Sequence, residues 1–174
     1  MPIERRDLLI FGAVGLAAAA AGAILGPLAL QSQSGAPELL SASFPDLAGK
    51  ERRILEFQRR ALVANFWATW CEPCRDEVPL LVATYEKFRA AGGLIIGIGI
   101  DSADKLKRFA GEYRVSYPIL IADGSALELM RKLGNRAGAL PFTVILDSHG
   151  SLAYRKLGAL RKEELDAMLS RLLR

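Results

Sequence analysis

The sequence predicts an α/β fold, and three observations carry that prediction. From about Ala36 onward, apolar runs of strand length alternate with longer segments of helical pattern. The chain's two cysteines, Cys71 and Cys74, stand two residues apart where one such run gives way to a helix. Near the C-terminus two β-rich runs flank a turn sequence and an amphipathic helix follows. At 174 residues, 51% hydrophobic and 24% charged, the chain has apolar surface for one globular domain and a small additional part.

The elements follow in order. Ala61 to Trp67 is an apolar strand ending at the cysteine pair. A helix begins there, with Pro73 in its first turn, where the missing N–H costs nothing. It runs to about Ala91, with Pro79 expected to kink it because that residue cannot donate to the carbonyl of Arg75. Gly92 and Gly93 end it, and Leu94 to Ile100 reads as a buried strand. A helix over about Ala103–Tyr113, a short strand over Pro118–Ile121 and a helix over Ser125–Leu133 come next. Phe142 to Leu146 and Leu152 to Leu157 form a hairpin about the turn Asp147-Ser148-His149-Gly150. Arg161 to Leu173 closes the chain as a helix whose apolar face holds Leu165, Met168, Leu169 and Leu172. No internal repeat is present, and the polar stretch from Gln31 to about Ala42 is expected to be the only linker.

The small additional part is the N-terminus, residues 1–36, ahead of a domain over 37–174. After Arg5 and Arg6 an uncharged stretch runs from Leu8 to Leu30. At about 1.5 Å per residue it is long enough to cross a hydrocarbon core of about 30 Å. A cleavable signal has an apolar region of about 7–15 residues and a small-residue cleavage site. This stretch is longer and lacks a clear site, so an uncleaved anchor is expected, with a soluble product after cleavage as the alternative. Arg5-Arg6 ahead of Asp7-Leu8-Leu9 also resembles a twin-arginine export signal; the other reading is that the arginines hold the N-terminus cytoplasmic. In each case the domain is delivered to a compartment where disulfides persist.

Two thiols at this spacing read as a reversible redox dithiol. A zinc site would need about four ligands, whereas beyond the pair there is no further cysteine and a single histidine, His149. No metal and no cofactor are expected. A structural staple would close only a short loop, where the entropic gain is small. Net charge is +4, but the basic pairs are scattered among acids and read as solvated faces, so nucleic acid is not an expected partner.

Three segments bear a family likeness: Phe44-Pro45-Asp46-Leu47-Ala48-Gly49-Lys50, then Val63 to Pro79 with Trp70-Cys71-Glu72-Pro73-Cys74 inside it, then Leu140-Pro141-Phe142-Thr143-Val144-Ile145-Leu146-Asp147. They resemble the TlpA/ResA-like branch of the thioredoxin superfamily, over about residue 40 to the C-terminus. The resemblance implies a thioredoxin-like fold, a central mixed β-sheet flanked by helices. It also implies a membrane-anchored thiol–disulfide oxidoreductase facing the periplasm, a reductant in cytochrome c maturation or copper-site assembly. Its partners would be client proteins with cysteine pairs; with no further cysteines to form an internal relay, an external donor, a membrane dithiol electron carrier, is also expected.

Cys71 stands just before the helix, where the macrodipole and unpaired N–H groups favour its thiolate, so it is the expected nucleophile. Cys74, one turn inside, is the expected resolving thiol. Glu72 puts negative charge beside the thiolate and opposes a very low thiol pKa. Trp70, Glu72, Pro73 and Leu140 are the expected docking surface. The resemblance makes Pro141 a cis-proline facing the dithiol, with Leu140 ahead of it offering backbone to an extended client. It also places Asn65 where thioredoxins carry a buried acid. An amide cannot ionise, and Glu77 is the candidate substitute in proton transfer; the alternative is a solvent-facing carboxylate. His149, in a turn, is expected to be solvated. A disulfide-forming oxidant, a redox-inactive binding module and a copper chaperone are the rival functions, the last wanting three residues between its cysteines and a placed histidine.

Overall fold

The structure is a computed structural model that describes residues 35–173. The expected membrane segment Leu8–Leu30 lies outside those residues. Among the described residues no helix is long and apolar enough to cross a membrane.

The chain enters through a short helix, α1 (Ala36–Ser41), with Pro37 in its first turn and Ala36 and Leu39 buried. The stretch expected to be linker to about Ala42 is thus partly core, a correction with a simple cause: six residues show no apolar periodicity, and burial of Leu39 supplies what propensity does not. A hairpin of β1 (Ser43–Pro45) and β2 (Glu51–Arg53) follows. The Asp46 carboxylate accepts the N–H groups of Ala48 and Lys50 to shape its turn, and Gly49 supplies the positive φ of 83°. A single 3₁₀ turn, Ile54–Phe57, buries Ile54 and Phe57.

The main sheet is mixed. β3 (Ala61–Trp67) lies at its centre and every residue of it is buried, as a strand covered on both faces requires. On one side it pairs in parallel with β4 (Gly93–Ile100), which pairs in parallel with β5 (Ile119–Ala122). On the other it pairs antiparallel with β6 (Phe142–Leu146), which pairs antiparallel with β7 (Leu152–Leu157). The parallel neighbours need helical crossovers, and these are α2 (Glu72–Ala90) and α3 (Ala103–Glu112). α2 continues through Pro79, whose ring is exposed. α4 (Ser125–Lys132) and α5 (Lys162–Leu172) complete the chain. The β6–β7 hairpin closes on Asp147, whose carboxylate accepts the N–H groups of His149 and Ser151.

The glycines of β4 have a packing cause. Gly97 and Gly99 share the face onto which Trp67 and Leu106 lie. A Cβ at 97 would stand 2.8 Å from the Trp67 indole nitrogen, and one at 99 would stand 2.5 Å from a Leu106 methyl. Trp67 is therefore sunk completely, with Phe109 of α3 at 4.7 Å between ring centroids. This packing fixes the end of β3 from which the cysteine loop departs.

Candidate active site

The loop Ala68-Thr69-Trp70 leaves the buried end of β3 and turns straight into α2. Cys71 is the N-cap residue of that helix, and its carbonyl accepts the N–H groups of Cys74 and Arg75 at 3.1 Å. Cys71 and Cys74 are joined as a disulfide with their Cα atoms 5.3 Å apart. The two sulfurs are not equivalent. Cys71 is 7% exposed and Cys74 1%, so an incoming partner meets Cys71. Trp70 stands beside it, 67% exposed, and Glu72 and Pro73 are exposed in the first turn.

Pro141 immediately precedes β6, and the Leu140–Pro141 peptide bond is cis. Because Phe142 pairs with Phe66 near the end of β3, the strand register brings Pro141 to the edge where the cysteine loop starts. Its carbonyl accepts the N–H of Gly158 at 2.8 Å, and Leu140 is half-buried against the core. His149 lies exposed in the β6–β7 turn, and among the described residues no cluster of three or more His, Cys, Asp or Glu side chains could hold a metal ion.

Glu77 is the most unusual charge-bearing group here. It lies one turn beyond Cys74 on the inner face of α2 and is only 3% exposed. The Asn65 amide of β3 donates to its Oε1 at 3.0 Å and to Thr143 Oγ of β6 at 3.0 Å. The backbone N–H of Leu160 donates to Oε2 at 3.3 Å. Burial pushes the carboxyl up to about 7, opposed only in part by that backbone hydrogen bond. Burial also raises the Tyr117 phenol, with the Glu77 charge adding to it. A carboxyl set near neutrality within a turn of the inner sulfur can take and return a proton at working pH.

Two features of the site were not legible in the sequence. Thr143 and the Leu160 N–H complete this hydrogen-bonded group from 78 and 83 residues away from their partners. Pro141-Phe142-Thr143 carried part of that signal; Leu160 carried none. On the other side of the dithiol, Asp101 at the end of β4 accepts from the Thr69 hydroxyl, from the Ser102 N–H at 2.7 Å and from Lys105 at 3.2 Å. Burial raises the Asp101 carboxyl, but these hydrogen bonds outweigh it and hold it below the usual carboxylate range.

A disulfide capping a helix, beside a cis-proline at the edge of a mixed sheet, defines the thioredoxin-like class of dithiol proteins. Comparison with known proteins narrows this. Residues 33–169 match the redoxin family, and the chain belongs to it. The thiol-disulfide oxidoreductase ResA of Bacillus thuringiensis (strain Al Hakam) is 30% identical over 128 residues, 73% of this chain and 72% of that one. ResA of Geobacillus kaustophilus (strain HTA426) is 27% identical, covering 71% and 70%. The crystal structure of a secreted thiol-disulfide isomerase from Corynebacterium glutamicum superposes with a TM-score of 0.69 at 25% identity, over 78% of this chain and 84% of that one. A thiol:disulfide interchange protein from Chlorobium tepidum TLS gives 0.67 at 24% identity, over 76% and 93%, a likeness of fold. The protein is accordingly a thiol-disulfide oxidoreductase of the ResA type with Cys71 and Cys74 as its redox pair.

Proposed function

We propose that the protein reduces disulfides of client proteins on the periplasmic side of the inner membrane, held there by Leu8–Leu30. The observation that carries the reductive direction is Glu72, an exposed carboxylate between the cysteines. It opposes the extreme thiolate stabilisation that makes a dithiol a strong oxidant.

In the reduced protein the Cys71 thiolate attacks one sulfur of a client disulfide. A Cys71–client bond forms and the second client sulfur leaves as a thiolate. Cys74 then gives its proton to Glu77 and attacks the Cys71 sulfur, breaking the mixed disulfide and releasing the first client sulfur. The client has gained two electrons and the protein ends as the Cys71–Cys74 disulfide. Asn65 and Leu160 hold the two Glu77 oxygens in place by hydrogen bonds, while Pro141, Leu140 and Trp70 seat the client chain. Recharging requires an external dithiol, for which a membrane electron carrier is suited. Apocytochrome cysteines or a copper-site protein are the proposed clients.

Thiol trapping tests this division of labour. Cys74→Ser should accumulate mixed disulfides with clients and Cys71→Ser far fewer; if Cys71→Ser were the better trap, the roles are exchanged.

A further inference from the structure

Beside the dithiol lies a cleft of about 250 Å³ that the exchange steps above do not use. Thr69, two residues before Cys71, and Arg75, the residue after Cys74, line it together with Lys105 and Arg108 of α3. Its wall continues along one face of α3 through Phe109 and Tyr113, whose rings stack with centroids 4.1 Å apart. Three cationic side chains thus converge on a recess that opens at the cysteine loop.

Where negative charge sits around this recess matters. Asp101 is sunk beneath it, its carboxylate 6% exposed and already bound to Thr69, Ser102 and Lys105. Glu112 also lines it, one helical turn beyond Arg108 and two beyond Lys105, and among the described residues it forms an ion pair with neither. Glu72 and Asp76 do not line it. Among the described residues neither Arg75 nor Arg108 is ion-paired with a carboxylate, and both are exposed. The Thr69–Asp101–Lys105 ties fasten the cysteine loop to the end of β4 and to α3, which carries Arg108.

We infer that this cleft is a docking site for an acidic client segment, and that it selects disulfides with Asp or Glu within a few residues of the attacked cysteine. The inference rests on the client-reductase reading and adds to it the chemistry of the client. Arg75 and Arg108 are the selecting side chains; Lys105, shared with Asp101, adds to their field. Charges at the rim of a contact act chiefly on the association rate and lose their effect in salt.

The test uses two peptides, each closed by one internal disulfide, identical except that the residues flanking the cysteines are Asp and Glu in one and Asn and Gln in the other. The second-order rate of their reduction by the reduced protein is read as a ratio, which cancels any general change in thiol reactivity. The protein should favour the acidic peptide by about fivefold at low ionic strength, the effect of one or two exposed charge contacts. The ratio should approach one in about 0.5 M salt, fall with Arg108→Gln and drop below one with Arg108→Glu. Equal rates for the two peptides at low salt, or a ratio unmoved by Arg108→Glu, would overturn the inference. Failure to reduce either peptide would overturn the reductase reading beneath it, and the inference with it.

Discussion

Replacing Glu77 by glutamine isolates the effect of its ionisation on folding. The carboxyl titrates at about 7 in the folded protein against an ordinary 4.5. Between those values the folded state holds a proton that the unfolded chain has released, so stability must fall as pH rises. Below pH 4.5 the carboxyl is neutral in both states and its contribution is fully present; by pH 7 most of it is lost. The gap corresponds to about 3 kcal/mol. The substituted amide cannot titrate, so the unfolding free energy of Glu77→Gln should lack this slope. The variant also carries a constant penalty of about 1–2 kcal/mol. Both partners of Glu77, the Asn65 amide and the Leu160 N–H, are donors, and an amide can accept well from only one of them. Urea unfolding of the oxidised protein at pH values from about 4.5 to about 8 separates the two effects. The difference between parent and variant should change with pH by about 3 kcal/mol, so that the parent is the more stable near pH 4.5 and the variant the more stable near pH 8; parallel curves would refute the raised carboxyl. In the same variant, resolution of the mixed disulfide should slow by about a hundredfold and its pH dependence should change, following only the deprotonation of the attacking thiol.

The remaining predictions concern the sheet and the anchor. Gly99→Ala should destabilise the protein by about 1–3 kcal/mol, because the new methyl would stand 2.5 Å from a Leu106 methyl and force that fully buried side chain to shift within the core; an unchanged melting temperature would refute that packing argument. The full chain should fractionate with membranes and retain its N-terminus, as mass analysis of the mature protein would report. A soluble product beginning near Gln31 would refute the anchor and leave export standing.

What the sequence revealed depended on how local the cause was. β3, β6 and β7 are apolar or alternating runs bounded by turn residues, and the structure ends all three at the expected residues, Ala61–Trp67, Phe142–Leu146 and Leu152–Leu157. The cysteine pair was visible from its spacing and Glu77 from its place one turn past Cys74, whereas Pro141 was singled out by the family resemblance. α1 was hidden because it is a helix by virtue of what Leu39 is buried against. β1 and β2 have three residues each, too few for an alternation to register. The Asn65–Glu77–Thr143 ties and the cleft beside Thr69 assemble from segments tens of residues apart, and no spacing along the chain encodes them.

The central claim, that this dithiol gives electrons to clients, turns on the reduction potential of Cys71–Cys74. Equilibrating the protein in glutathione buffers of known ratio and counting free thiols by mass after alkylation measures it directly. The potential should lie nearer to that of thioredoxin, about −270 mV, than to that of the oxidant DsbA, about −120 mV. A value at the DsbA end would show that Glu72 does not set the direction and would make the protein a disulfide donor.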